Sequence, residues 1–409
     1  MRHPNLSRLL LLLALLLSAS LARTGNDYPL VLVHGFTGWG RDELLGFKYW
    51  GGFEDLQEML NQAGHRTHTG VVGPLASNWD RACELYAYIK GGTVDYGQAH
   101  AAAYGHARYG RTFPGLYPAW GTADDHGQLR KLHLISHSQG GQTVRVLAAL
   151  LKQGAPTERA ATPAAELSLL FRGGNSWVHS VTTLAAPHDG TSIAANGNHL
   201  LPFVRKTLLG LAALVGVQPD ELPYDFKLDQ WGLRRLPDES LEGYLTRVEQ
   251  SPIWHSRDIS AWDLSPDGAR ELNRQFPAQP GVYYFSWATS ATVPIWPSRH
   301  QVPRPTTLPQ LWVTALFIGG YSRTEPGHVR IDASWWENDG LVNTRSMAGP
   351  TLDSPDRIAP YSGQPQRGVW NHWGVLSGWD HLDIIGIGTV RDMRDWYLRL
   401  ARSLADLPP

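Results

Sequence analysis

Four short apolar runs, far apart in the chain, restrict its fold most. Leu30 to Val33, Leu132 to Ser136, Val178 to Leu184 and Val282 to Trp287 are continuous rather than alternating in polarity. A strand of that kind has to be covered on both faces. Between the runs lie longer stretches with helical character, such as Gln142 to Leu151 and the amphipathic Asp392 to Leu404. Strands covered by intervening helices make a mainly parallel sheet, so the expected class is α/β. No internal repeat, low-complexity linker or Pro- or Gly-rich boundary divides the chain. One domain with insertions is therefore expected.

The first residues read as an address. Arg2, His3 and Arg8 precede the apolar run Leu9 to Leu17, and Ser20-Leu21-Ala22 supplies small residues for cleavage. The run is shorter than the ~20 residues a bilayer span needs, so residues 1–22 are expected to be an export signal cut after Ala22. No later segment reaches spanning length without a charge or a breaker. With 36 Lys+Arg against 37 Asp+Glu, the chain has no electrostatic case for binding nucleic acid. Its single cysteine, Cys83, excludes an intrachain disulfide framework. Stability has to come from core packing or from another cross-link, such as a metal.

The chemistry centres on Ser136-His137-Ser138-Gln139-Gly140. This pentad follows an apolar strand and precedes a Gly-Gln-Thr helix start, the strand–turn–helix setting of a nucleophile elbow. Small flanking residues let the backbone turn sharply and hold the Ser138 hydroxyl above the sheet. A serine hydroxyl needs a base to take its proton, and in this architecture acid and histidine follow the serine in chain order. Asp339, in the turn Asn338-Asp339-Gly340, and His381, in Asp380-His381-Leu382, suit those places. By order alone they are equally a turn aspartate and a structural histidine. A tetrahedral intermediate also needs aimed N–H donors. The Gln139 N–H, just after the nucleophile, and the Phe36 N–H, in His34-Gly35-Phe36-Thr37-Gly38, are the candidates.

Longer stretches carry a resemblance. They include Val33-His34-Gly35-Phe36-Thr37-Gly38-Trp39-Gly40, Gly46-Phe47-Lys48-Tyr49-Trp50-Gly51-Gly52, Ser77-Asn78-Trp79-Asp80-Arg81-Ala82-Cys83-Glu84 and Tyr224-Asp225-Phe226-Lys227-Leu228-Asp229-Gln230-Trp231-Gly232. With Gly91 to Gly97, His137 to Gln142, Glu337 to Gly340 and Asp380 to Leu382, they run through nearly the whole mature chain. In these stretches the chain resembles the thermoalkalophilic, bacillus-type triacylglycerol lipases of the α/β-hydrolase superfamily. The resemblance implies Ser138, Asp339 and His381 as a catalytic triad, and Phe36 and Gln139 as the oxyanion hole. It also implies a lid at about 192–217, where the apolar Leu200 to Val217 reads equally as a core helix. The chain departs from the family at Ser136, where alanine is usual, and by a short insertion at Gly121 to Gly127. The lid sequence differs, and Ala288 to Arg330 matches poorly, so nothing is carried over there.

The resemblance further implies a structural zinc held by Asp80, His100, His106 and Asp229. Two imidazoles and two carboxylates close a tetrahedral site, leaving no open position for water. His100 and His106 are six apart, so they do not share a helix face and belong in a loop or at a helix end. Such a site would tie an extra segment at about 75–115 to the region near the lid. The family also binds calcium near the catalytic histidine. Asp383 stands where the family has a glutamate ligand, but Gly388 replaces a second carboxylate, leaving a poorer oxygen set.

The reading is a secreted triacylglycerol lipase in one domain over residues 23–409, acting at a lipid–water interface. A short-chain carboxylesterase or polyester depolymerase shares the triad without needing an apolar lid. A hydrolase-fold binding protein without activity would have no need of all three residues.

Overall fold

The computed structural model describes residues 25–196 and 200–409. The expected export signal lies outside these residues, as do residues 197–199 of the expected lid. The strands are β1 (Leu30–Val33), β2 (Thr67–Gly70), β3 (Gly92–Asp95), β4 (Tyr109–Phe113), β5 (Leu132–His137), β6 (Val178–Leu184), β7 (Tyr283–Ser290), β8 (Thr292–Pro294), β9 (Gln301–Pro303), β10 (Arg357–Pro360) and β11 (Val369–Ser377). Seven of them form one sheet in the order β10-β11-β7-β6-β5-β1-β2. All of its neighbours run parallel, with Val33 beside Ser136 and Ser136 beside Thr183 across the centre.

The four apolar runs became β1, β5, β6 and β7, and each is buried along its whole length. Two separate apolar clusters show that both faces of the sheet are covered. Leu30 and Leu32 of β1 belong to one and Val31 and Val33 to the other, as strand alternation requires. The helix Gly140–Gln153 is buried along most of its length. The closing helix Met393–Ala405 is half exposed. It buries Met393, Tyr397, Leu400, Ala401 and Leu404, and the Asp392 carboxylate accepts the Asp395 N–H at its start.

The segment after β2 is built apart from the sheet. Ser77 caps the helix Asn78–Lys90, and β3 and β4 pair antiparallel around the short helix Gln98–Tyr104. Cys83 is buried within this segment. The apolar stretch of the expected lid forms the helix Leu200–Val215. It buries Val204, Leu208, Leu211 and Ala212 in the core that Phe36 also touches, and leaves Leu209 and Leu214 exposed. Among the described residues, no helix is long and apolar enough to cross a membrane.

The start of the helix Gly140–Gln153 is pressed against the end of β1. A Cβ at Gly140 would stand 2.6 Å from the Val33 carbonyl oxygen. Gly210, inside the helix Leu200–Val215, has nothing within 4 Å of the same position. Gly140→Ala is expected to lower stability by about 1–3 kcal/mol through overpacking. Gly210→Ala is expected to raise it by about 0.5–1 kcal/mol through helix propensity. Urea denaturation measures both, and shifts of the same sign would contradict this packing.

Candidate active site and metal centre

Ser138 is the first residue beyond β5, an inner strand of the sheet between β6 and β1, and its φ is 55°. For an L-residue this left-handed turn costs roughly 1–2 kcal/mol, so the surroundings must hold it. Its N–H donates to the Leu184 carbonyl (3.0 Å), and its carbonyl accepts the Gly141 N–H (2.9 Å). The loop after β1 comes so near that a Cβ on Gly35 would stand 2.6 Å from the Ser138 Cβ. Behind the serine starts the helix Gly140–Gln153, whose N-terminus favours negative charge.

Asp339 and His381 meet although they are 42 residues apart, with His381 Nδ1 2.7 Å from Asp339 Oδ2. The same oxygen accepts from the Thr289 hydroxyl at 2.7 Å. Oδ1 accepts the N–H groups of Leu341 (3.1 Å) and Val342 (2.9 Å). These donors hold the buried carboxylate in one orientation. Since it accepts, Nδ1 carries the proton, and Nε2 is left as the basic nitrogen. The His381 N–H also donates to the Asp339 carbonyl, at 2.9 Å.

A second polar chain joins this histidine to the loop after β1. The Gly35 N–H donates to the Tyr49 hydroxyl (2.9 Å), which lies 2.6 Å from His137 Nδ1. His137 Nε2 lies 2.9 Å from the His381 carbonyl. One proton arrangement satisfies every atom: Tyr49 donates to Nδ1, and Nε2–H donates to the carbonyl. Burial, followed by the nearby His381, lowers the His137 pKa well below the usual imidazole value, so the ring is neutral. Phe36 follows Gly35 and packs on Ile193, Ala194, Leu264 and Ile318. Gln139 is buried, and its side chain accepts from the Ser260 hydroxyl at 3.0 Å.

A separate cluster brings together Asp80, His100, His106 and Asp258. His100 Nε2 lies 3.3 Å from Asp80 Oδ1 and 3.1 Å from Asp258 Oδ1. His106 Nε2 lies 4.0 Å from Asp80 Oδ1 and 3.1 Å from Asp258 Oδ2. Ligands ~2.0 Å from a tetrahedral metal stand about 3.3 Å from one another. Asp80 Oδ1, both Nε2 atoms and Asp258 Oδ2 are buried without a hydrogen-bond partner. His106 Nδ1 lies 2.9 Å from the Ala107 carbonyl, so it carries the ring proton and turns the Nε2 lone pair inward. Burial disfavours a charged His100, yet the Asp258 and Asp80 carboxylates outweigh it and raise its pKa to about 10. Without a cation between them, the imidazoles themselves have to carry positive charge. The donor set, its spacing and its orphaned atoms fit a metal ion. Trp79 stacks on His100, with ring centroids 4.9 Å apart.

Asp229 is not in this group, which corrects the expected ligand set. Its carboxylate accepts from Arg111 Nε at 2.8 Å, beside the Arg111–Asp225 pair. A guanidinium already pairs with it, and the second carboxylate of the cluster comes from Asp258. The Asp229–Trp231 turn still borders the cluster. Gln230 Nε2 donates to Asp80 Oδ2 (2.8 Å), and the Trp231 ring lies 4.9 Å from that of His106. Asp383 accepts the Asp380 N–H at 2.9 Å, and the cation nearest to it is Arg391, at 3.6 Å. It belongs to no metal-competent group among the described residues.

Comparison with known proteins shows the family. The family described as "Lipase-like, C-terminal domain" matches residues 26–405. The chain belongs to that family. It is 38% identical to Lipase 2 of Staphylococcus aureus over 379 residues, covering 91% of this chain and 52% of that protein. The chain thus spans about half the length of the curated relatives it matches. Among solved structures, lipase 1 from Pelosinus fermentans is 53% identical with a TM-score of 0.87, covering 93% of this chain and 99% of that one. EstA from Clostridium botulinum is 46% identical with a TM-score of 0.88, covering 94% and 88%. The fold is that of the α/β-hydrolases, and the resemblance to bacterial lipases holds.

Four contributors in this lipase-like domain escaped the reading of the sequence. Thr289 lies two residues beyond the apolar run Val282 to Trp287, near the end of the strand that the run begins. Tyr49 and His137 sit inside motifs but reveal their hydrogen bonds only in three dimensions. Asp258 has no motif at all, and the chain fold alone delivers it to the histidines. Asp258→Asn is expected to reduce bound metal from about one equivalent to near zero. Asp229→Asn is expected to leave the metal in place. Elemental analysis of both purified variants measures this, and the reverse pattern would restore Asp229 as the ligand.

Proposed function

We propose that this protein is a secreted triacylglycerol lipase that cleaves carboxylic esters through an acyl-enzyme on Ser138. The observation that carries the reading is the buried, fully hydrogen-bonded Asp339 carboxylate holding His381 as the Nδ1–H tautomer. Membership of the lipase-like family supports it.

In this mechanism the Ser138 oxygen attacks the ester carbonyl while His381 Nε2 takes the hydroxyl proton. Asp339 keeps the ring oriented and stabilises it once charged. The N–H groups of Phe36 and Gln139 receive the developing oxyanion, each worth about 3 kcal/mol in the transition state. His381 then returns the proton to the departing alcohol. Water, activated by the same nitrogen, releases the fatty acid and restores Ser138. The Tyr49–His137 chain keeps the oxyanion loop and the backbone of His381 in one frame. The helix Leu200–Val215 serves as the lid, with its buried face towards the core beside Phe36.

The ion at Asp80, His100, His106 and Asp258 is zinc, matching a two-imidazole, two-carboxylate set. Bound there, it supplies a structural cross-link rather than reaction chemistry. Calcium at Asp383 has less support, because Arg391 already faces that carboxylate. Residues 1–22 direct export.

Two measurements test the reaction. The chain is expected to release fatty acid from emulsified long-chain triacylglycerol, and not only from a soluble short-chain ester. Activity confined to the soluble ester would make it an esterase. Asp339→Asn is expected to lower kcat by about 10³–10⁴-fold through loss of the correct tautomer. A near-normal rate would remove Asp339 from the mechanism.

A further inference from the structure

Part of the poorly matching stretch Ala288 to Arg330 builds a surface of its own. β8 and β9 form an antiparallel hairpin, followed by the helix Trp312–Ile318. The Gln301 N–H donates to the Gly319 carbonyl at 2.8 Å, which joins hairpin and helix into one unit. The unit is seated beside the proposed active site. Asn338 Nδ2 donates to the Ala315 carbonyl (3.1 Å), one residue from Asp339. The Leu308 N–H donates to the Asp380 carboxylate (2.9 Å), one residue from His381.

The helix buries Ala315 and Ile318, the latter in the cluster that Phe36 joins. It turns Trp312, Val313 and Leu316 outwards, and Val313 is 69% exposed. At the hairpin tip Ile295 is exposed, and Trp296 is 85% exposed. Large apolar side chains gathered on an exposed surface mark a binding face. Its charge indicates which kind. From Ala291 to Gly320 there is no aspartate or glutamate, while Arg299 and Arg304 are present. Two copies meeting through this face would bring arginines together with no acid on the unit to pair them. An apolar layer with negative charge at its boundary satisfies both features at once.

We propose that the hairpin and helix over residues 291–320 form an anchoring face. It seats the protein on a lipid surface bearing fatty-acid carboxylates, with the active site towards the lipid. This rests on the proposed ester hydrolysis, since that reaction releases fatty acid into the surface it works on. Trp296 enters the apolar layer, and the exposed Arg299 meets carboxylates at its edge, with the half-buried Arg304 adding positive charge behind it.

The test exploits Cys83, which is buried and leaves an introduced cysteine as the accessible thiol among the described residues. Trp296→Cys, in full-length protein carrying Ser138→Ala to prevent turnover, is labelled with a polarity-sensitive dye. The probes are vesicles of phosphatidylcholine with and without oleic acid. Emission is expected to shift to the blue with oleate vesicles, and less with phosphatidylcholine alone. A label at Asp125→Cys, in the loop that leads into β5 at the amino ends of the parallel strands, is expected not to shift. The proposal is overturned by no shift at residue 296, by equal shifts at both positions, or by a shift that follows protein concentration without vesicles, which would indicate a second copy. Val313→Ser with Leu316→Ser is expected to lower vesicle partitioning about tenfold, with the rate on a soluble short-chain ester unchanged. Fatty-acid release by the unsubstituted chain is scored separately. Its absence would sink the lipase reading, whereas the dye shift reports the anchoring face alone.

Discussion

The left-handed turn at Ser138 is the constraint to which the rest of the site is fitted. A β-strand cannot run straight into a helix with a side chain exposed at the junction unless the backbone takes this unfavourable conformation. Holding it there requires neighbours without side chains, because the loop after β1 and the first turn of the helix both close on it. Gly35 and Gly140 meet that need, since a Cβ on Gly35 would collide with Ser138 and one on Gly140 with the backbone at the end of β1. Parallel strands make the junction useful. They bring their carboxyl ends to one edge, so loops after β7 and β11 deliver Asp339 and His381 to the side where β5 delivers the serine.

Buried polar groups then keep the edge rigid. Asp339 has four donors, and the Tyr49–His137 chain ties the loop after β1 to the backbone of His381. Arg81 adds a third tie. Its guanidinium donates to the His34 carbonyl (2.6 Å), the Gly73 carbonyl (2.8 Å) and the Thr143 hydroxyl (2.8 Å), joining the β1 loop to the helix behind the nucleophile. Burial lowers its pKa to about 10, which still leaves it charged at neutral pH. Unsatisfied groups at such depth each cost about 1–3 kcal/mol, so these networks rigidify only because every bond is made. The same rule singles out the Asp80 cluster, whose four orphaned atoms call for a cation.

The interior of the fold was legible because β1, β5, β6 and β7 are rich in apolar and β-branched residues and lie between longer helical stretches. The strands towards the sides of the sheet were not. β2 is Thr-His-Thr-Gly, and β11 carries Asn371, His372 and Gly374 with a break in register. Strands that are polar or irregular give no continuous apolar signal. The elbow was visible as strand, small residues and helix start in succession. The metal ligands divided differently. Asp80, His100 and His106 come from one segment, whereas Asp258 arrives from about 150 residues further on and cannot be distinguished by spacing. Asp229 was plausible because its turn does border the cluster, through Gln230 and Trp231.

These ties have one purpose if Ser138 is a nucleophile and none if it merely starts a helix. Labelling with a serine-reactive phosphonate, followed by peptide mass analysis, tests that difference most directly. A single adduct on Ser138 in the folded protein, abolished by His381→Ala, is the predicted result. A folded protein that leaves Ser138 unmodified, or reacts equally without His381, would contradict the account.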